Sequence, residues 1–364
     1  MTDTTGRDPK KPPRRGRGAL ANPGSRYAEH EREAVDDGLF AEEAAPLRTE
    51  LQVDASRTVI SRNQSPDIPF DRSINPYRGC EHGCIYCYAR PSHAWLGLSP
   101  GLDFESRLFY KPDAAEQLER ELARPGYQAA PIVLGANTDA YQPVERRLRI
   151  TRGILEVLAA CSHPVVVTTK SALVLRDLDL LRPMAERRLA AVQVSITTLD
   201  AALARRLEPR AATPERRLET IRELAAAGVP VGVLASPVIP GLTDSDLERV
   251  LAAAAGAGAT SAAALLVRLP LELKDLFEDW LASHYPDRAG KVLSLIRQCR
   301  EGRLNDPRFG SRFRGTGPVA EILRRRFELA AARLNLPDRD AGWGLDTSRF
   351  RPPVPRGGQL SLFG

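Results

Sequence analysis

From residue 74 onward the chain alternates short, almost wholly apolar runs with longer stretches whose apolar positions recur every three or four residues. The apolar runs at 74–77, 131–135, 165–170, 191–197, 231–236 and 262–269 predict strands, and their continuity predicts cover on both faces. Between them, helical periodicity marks 145–160, 178–188, 214–227 and 244–255. A further helix opens at Asp113, with Glu116 completing a capping box and Leu118 and Leu122 on its apolar face. Thr213 and Pro214 read as an N-cap and first helical residue, and Gly228 as a C-terminal stop. Strands and helices in this order build a parallel sheet with helices outside it. Six units are two short of a closed eight-fold barrel, so an α/β partial (βα)6 barrel over 74–270 is expected. Ligands in such folds gather at the carboxyl ends of the strands.

The flanks read differently. Residues 46–73 form an extended lead-in, with Leu51, Val53, Val59 and Ile60 able to pair with a sheet edge. Residues 271–336 are expected to be helices broken at 284–287 and 302–318, covering the barrel mouth or an edge. The segments 1–45 and 337–364, rich in Pro, Gly and Arg, predict disordered tails. No apolar stretch is long enough to span a bilayer, and the first residues lack a secretory apolar run, so a cytoplasmic protein is expected. The formal net charge of +6 fits an anionic partner without naming one. Lysines are rare among the 52 basic residues, which makes each of them notable.

Three of the five cysteines fall in INPYRGCEHGCIYCYAR, as Cys80, Cys84 and Cys87. Three thiolates are one short of a closed zinc or iron–sulfur site. A [4Fe–4S] cluster held by three cysteines keeps one iron for a small molecule. A zinc knuckle completed by His82, and buried packing thiols, are the other readings. Gly79 and Gly83 allow the tight turns such a loop needs. Cys161 and Cys299, remote and in helical contexts, read as small buried side chains.

The C-x3-C-x2-C spacing, with its flanking NPYRGC and YCYAR, resembles the radical S-adenosylmethionine (radical SAM) superfamily, in its spore photoproduct lyase-like branch. The resemblance covers about residues 70–270. It implies a partial (βα)6 barrel and a [4Fe–4S] cluster on Cys80, Cys84 and Cys87. It also implies reductive cleavage of SAM to a 5′-deoxyadenosyl radical that abstracts hydrogen from substrate, and an electron donor such as flavodoxin or ferredoxin. In that branch, tyrosines at the positions of Tyr86 and Tyr88 are implicated in hydrogen-atom return. GANTDAYQP places Thr138 and Asp139 where the SAM amino group is held, with Asn137, Tyr141 and Gln142 on the same rim. Lys170, at the end of VVVTTK, is a flexible point charge suited to the SAM carboxylate. Ser195 matches a second contact to it, and Glu208 and Arg210 match residues reaching SAM or substrate. Backbone near Val238 and Ile239 matches the adenine contact. One departure matters: the lyases carry a cysteine three residues before the aspartate, where this chain has Ala136. Spore photoproduct lyase activity itself is therefore not expected.

At the far end, Gln359, Leu360, Ser361, Leu362 and Phe363 resemble the peptide by which bacterial replication and repair proteins dock on the DNA sliding clamp. Apolar anchors on a Pro/Gly linker suit such docking. With the charge and the lyase-like core, this points to a radical SAM enzyme acting on DNA, in repair or modification. The alternatives are a protein, tRNA or small-molecule substrate, or a non-catalytic iron–sulfur or zinc protein.

Overall fold

Strands that are apolar on both faces need cover on both. Six strands share one parallel sheet, five of them from apolar runs and the first, Arg72–Ile74, buried although two of its three residues are polar. The computed structural model describes residues 16–27, 47–337 and 343–353. The barrel strands are β1 (Arg72–Ile74), β2 (Ile132–Leu134), β3 (Val165–Thr169), β4 (Ala190–Ser195), β5 (Val231–Val238) and β6 (Ser261–Leu266). They lie side by side in chain order, all parallel, and Ile60–Arg62 adds an antiparallel edge beside β1. The register pairs Ile74 with Leu134, Leu134 with Val167, Thr169 with Val194 and Ser195 with Leu234. The carboxyl ends of the strands therefore emerge on one rim.

The longer helices packed on the sheet are α1 (Ala114–Leu122), α2 (Ile150–Ala160), α3 (Leu178–Glu186), α4 (Pro214–Ala226) and α5 (Leu247–Gly256). Their apolar stripes, including Leu118, Ile154, Leu158, Leu181, Ile221 and Leu251, pack on the outward residues of the sheet such as Leu134, Val167, Val192 and Val233. The alternate residues Val133, Val166 and Ala191 form a separate inner cluster. Three further helices, α6 (Leu273–His284), α7 (Pro286–Gln298) and α8 (Gly317–Arg333), make the extension. Phe277, Trp280 and Val292 from α6 and α7 join Ile85, Leu203 and Leu207 in a second core beneath the cysteine loop. Each such side chain contributes about 1.5–3 kcal/mol on full burial.

Several expectations shift. The first strand ends at Ile74 and not at 77, because Pro76 has no N–H for the ladder. Tyr77–Arg78 instead pairs antiparallel with Arg107–Tyr110, which also takes Glu50–Val53, in a small second sheet. The helix expected over 145–160 breaks at Arg149, whose φ is 55°. Asp113 makes no capping bond; its carboxylate accepts from Gln117 Nε2 at 2.9 Å. Thr213 does cap, accepting from the Arg216 amide at 3.3 Å.

The two terminal stretches read as disordered tails also contain packed parts. Residues 16–27 lie against the cysteine loop: the Gly18 and Ala19 amides donate to the Glu105 carboxylate at 2.9 and 2.8 Å. At the opposite end, residues 343–353 close the barrel from below. Trp343 and Leu345 pack on Val133, Val166 and Ala191. The Asp346 amide donates to Arg188 O at 2.8 Å and the Arg351 amide to Cys161 O at 2.9 Å, both just before barrel strands. Gln359 to Phe363 lie outside the described residues.

Candidate active site

The cysteine loop follows Tyr77–Arg78 and turns on Gly79 and Gly83, at φ +79° and +68°. A Cβ at Gly83 would meet Glu105, and one at Gly79 would meet Leu108 and the Phe104 carbonyl, so side chains are excluded at both turns. Arg90, fully buried, staples the loop from within. It donates to Cys84 O at 2.9 Å, Gly83 O at 3.1 Å and Gly101 O at 2.9 Å, and pairs with Glu105 at 2.5 Å. Five carbonyl and carboxylate contacts from one guanidinium fix the loop through the protein's own groups.

Cys80, Cys84 and Cys87 all line one pocket, and none is in a disulfide. Burial pushes the Cys84 thiol up to about 12 and Cys80 well above its ordinary value. Bare, these are neutral thiols; coordination is what would deprotonate them. Among the described residues no three His, Cys, Asp or Glu side chains are grouped to hold a single metal ion. His82 turns its Nδ1 toward Asp139 at 3.4 Å. The zinc-knuckle reading therefore finds no support, whereas a multi-iron cluster spreads its thiolates over separate irons. Three unpaired sulfurs on one pocket wall fit such a cluster. Cys161 and Cys299 are buried elsewhere.

The strand ends supply the rest of the pocket: Asp139 after β2, Thr169 and Lys170 from β3, Ser195 from β4 and Ser236 from β5. Burial opposes the charge on Asp139, yet His82, the Lys170 amide and the Thr169 hydroxyl hold its pKa down to about 2. Its carboxylate accepts from Lys170 N and Thr169 Oγ1, each at 2.7 Å. Burial works against the Lys170 ammonium, but Cys84 and Glu208 raise its pKa. Lys170 Nζ lies 5.9 Å from the centre of the Tyr86 ring. Ser195 donates to Ser236 O at 3.0 Å.

Other expected residues sit elsewhere. The Thr138 hydroxyl donates to Tyr77 O at 2.7 Å and does not line the pocket. Glu208 lies behind the wall, bonded to the Tyr86 phenol and Arg217 and accepting from Thr197 at 2.7 Å. Burial alone would raise the Glu208 pKa, but the charges of Arg217 and Lys170 hold it at about 2. Arg210 pairs with Glu81 at 2.9 Å and lines a neighbouring groove that also takes in Arg146 and Arg176. Tyr86 walls the pocket while its phenol points to Glu208. Tyr88, 43% exposed, donates to the Ala136 carbonyl at the rim. Sequence reasoning missed Arg90, Glu105, Arg217, Arg268 and Phe313. Only Arg90, inside the cysteine motif, carried a local signal.

The radical SAM superfamily pattern matches residues 74–254, about half of the chain, beginning at β1 and taking in the cysteine loop. The chain belongs to the radical SAM superfamily. It is a radical SAM enzyme, and its family implies SAM and a [4Fe–4S] cluster as cofactors. An uncharacterised protein of Mycobacterium tuberculosis is 38% identical over 233 residues, covering 64% of this chain and 68% of the relative. An uncharacterised Methanocaldococcus jannaschii protein is 29% identical over 171 residues, covering 47% and 61%. Among solved structures, a spore photoproduct lyase variant with bound AdoMet and dinucleoside spore photoproduct superposes with a TM-score of 0.54 at 16% identity, covering 78% of each chain. The lyase with dinucleoside spore photoproduct alone gives 0.54 at 15%. At that identity the likeness is one of radical SAM fold. No helix among the described residues is long and apolar enough to cross a membrane.

Proposed function

We propose that Cys80, Cys84 and Cys87 hold a [4Fe–4S] cluster and that the enzyme uses SAM to abstract hydrogen from a nucleic acid, in DNA repair or modification. The observation carrying the reading is the convergence of three unpaired thiols with Lys170 and Asp139 on one pocket at the strand ends. The chemistry such a cluster supplies is one-electron cleavage of SAM for hydrogen-atom abstraction. Lys170, without an ion pair among the described residues, is the group to hold the SAM carboxylate. Asp139 orders the β2 and β3 rims, and through them positions Lys170. Tyr88, whose phenol sits at the pocket rim on the Ala136 carbonyl, is better placed to pass a hydrogen atom than Tyr86, whose phenol points behind the wall to Glu208. The net charge of +6 and the lyase fold support a nucleic-acid substrate. Ala136 lines the pocket where the lyases carry cysteine, which directs the reading away from spore photoproduct lysis.

The test is anaerobic reconstitution with iron and sulfide, then dithionite and SAM, with 5′-deoxyadenosine as product. Wild type should form it. C80A, C84A and C87A should lose bound iron and product together, while C161A and C299A keep both. Iron bound equally by C84A would remove the cluster assignment. Deuterium transfer from labelled DNA, RNA or protein into 5′-deoxyadenosine identifies the substrate, and transfer from protein alone would replace the nucleic-acid reading. We further propose that Gln359 to Phe363 bind the sliding clamp and that a flavodoxin or ferredoxin delivers the electron. Deleting 359–364 should abolish clamp pull-down without changing SAM cleavage.

A further inference from the structure

Arginines and aromatic rings alternate in a ladder from the protein surface to the pocket wall. Phe309, at the outer end, is 62% exposed. The Arg312 guanidinium lies 4.7 Å from the ring centres of both Phe309 and Phe313. The Arg268 guanidinium in turn lies 5.1 Å from Phe313 and 5.9 Å from Tyr88. Tyr88, Arg268 and Phe313 line the pocket that holds the three cysteines. The rungs come from three remote stretches of chain, so folding and not local sequence assembles them.

The ladder is held in place. Arg300, fully buried, donates to Val267 O and Arg312 O, each at 2.7 Å, and to Ser311 O at 3.2 Å. The Leu266 amide donates to Phe313 O at 2.9 Å, which ties the 309–313 loop to the end of β6. Charge is distributed unevenly along it. Arg312 is neutralised by Asp67 at 2.6 Å and bonded to Ser65. Arg268 has no ion pair or hydrogen bond among the described residues, and its Nε is buried without a partner. A partly buried guanidinium that faces a pocket with ring faces but no anion against it favours an anion that arrives there.

The spacing of flat faces and guanidiniums decides which anion. Unstacked bases use aromatic faces, and arginine forks take phosphate in two bonds at once. Duplex bases are stacked on one another and cannot use the faces. An acidic peptide would use the charge and leave the rings idle. We propose that Phe309, Arg312, Phe313, Arg268 and Tyr88 form a track that binds a single-stranded stretch of nucleic acid and leads one nucleotide to the cysteine pocket, with Arg268 holding its phosphate. This rests on the nucleic-acid reading above and names the form of the substrate.

The experiment is fluorescence anisotropy on the full-length protein with four labelled probes: an oligothymidine, an oligouridine, a DNA duplex of equal length and a polyglutamate peptide. Wild type should bind the single strands more tightly than the duplex. R268A and F313A should each weaken single-strand binding about tenfold, the size of one lost stacking or phosphate contact. R268K, which keeps charge but loses the flat fork, should fall between wild type and R268A. Melting curves matched to wild type establish that the variants fold, and W95A, an exposed ring outside the ladder, should bind as wild type does. Wild-type binding that survives both R268A and F313A, or that favours the duplex, overturns the track alone. No binding of any nucleic acid, or tighter binding of polyglutamate, overturns the nucleic-acid reading and the track with it.

Discussion

Glu208 carries three partners on one buried carboxylate: the Tyr86 phenol, the Thr197 hydroxyl and the Arg217 guanidinium. Arg217 also donates to Ser195 O at 2.9 Å, so the same arginine supports the β4 end of the pocket. Removing the carboxylate charge leaves that guanidinium buried and unpaired, and E208Q should cost about 3–5 kcal/mol in urea unfolding at pH 7. The pH dependence has a definite sign. A carboxylate whose folded pKa is about 2, against ~4.3 when unfolded, stabilises the fold fully above the unfolded value. That contribution is lost as the pH falls through the folded one. The gap between wild type and E208Q should therefore narrow between pH ~4.3 and ~2. An unchanged gap at pH 3 would remove Glu208 from the account of acid sensitivity. The scarcity of lysine pointed to Lys170 but not to its meaning everywhere: Lys111, equally rare, donates to Thr58 O at 3.1 Å and serves the fold.

Among the elements, the segment 16–27 is the one least visible in the sequence and most closely tied to the cysteine loop. Arg17 donates to Glu105 O at 2.6 Å and Leu47 O at 2.7 Å, and a Cβ on Gly18 would overlap the Gly83 carbonyl. Composition could not reveal this, because a segment docked through backbone amides and glycines has the same residues as a tail. G18A should undock the segment, and amide exchange at residues 83–90 should quicken about tenfold or more, as expected for the loss of ~1.4 kcal/mol of local stability. Unaltered exchange there would mean the segment rests on the loop without supporting it. The barrel strands were legible for the opposite reason: continuous apolar runs have few homes other than a doubly covered sheet. Pro76 shortened the first strand and released Tyr77–Arg78 to the second sheet, and Arg149 split one expected helix in two. At the site, the cysteines were legible through their spacing. Arg268 was not, being one arginine among many, made distinctive only by what it lacks in three dimensions.

Among the described residues, six parallel strands carry the cysteine pocket at one rim, and Trp343 and Leu345 occupy the opposite end. The inner cluster they cover includes Val133, which also lines the cysteine pocket. With that end filled by Trp343 and Leu345, a molecule lodged in the cysteine pocket faces its way out on the side of the strand ends. On the occupancy proposed above, with SAM against the cysteines and a nucleotide against Arg268, the nucleotide would hinder the escape of SAM and turnover would be sequential. In a pulse–chase with labelled SAM, adding saturating substrate should slow escape of the label by about tenfold, a ~1.4 kcal/mol barrier. Equal escape with and without substrate would mean a second way out of the barrel.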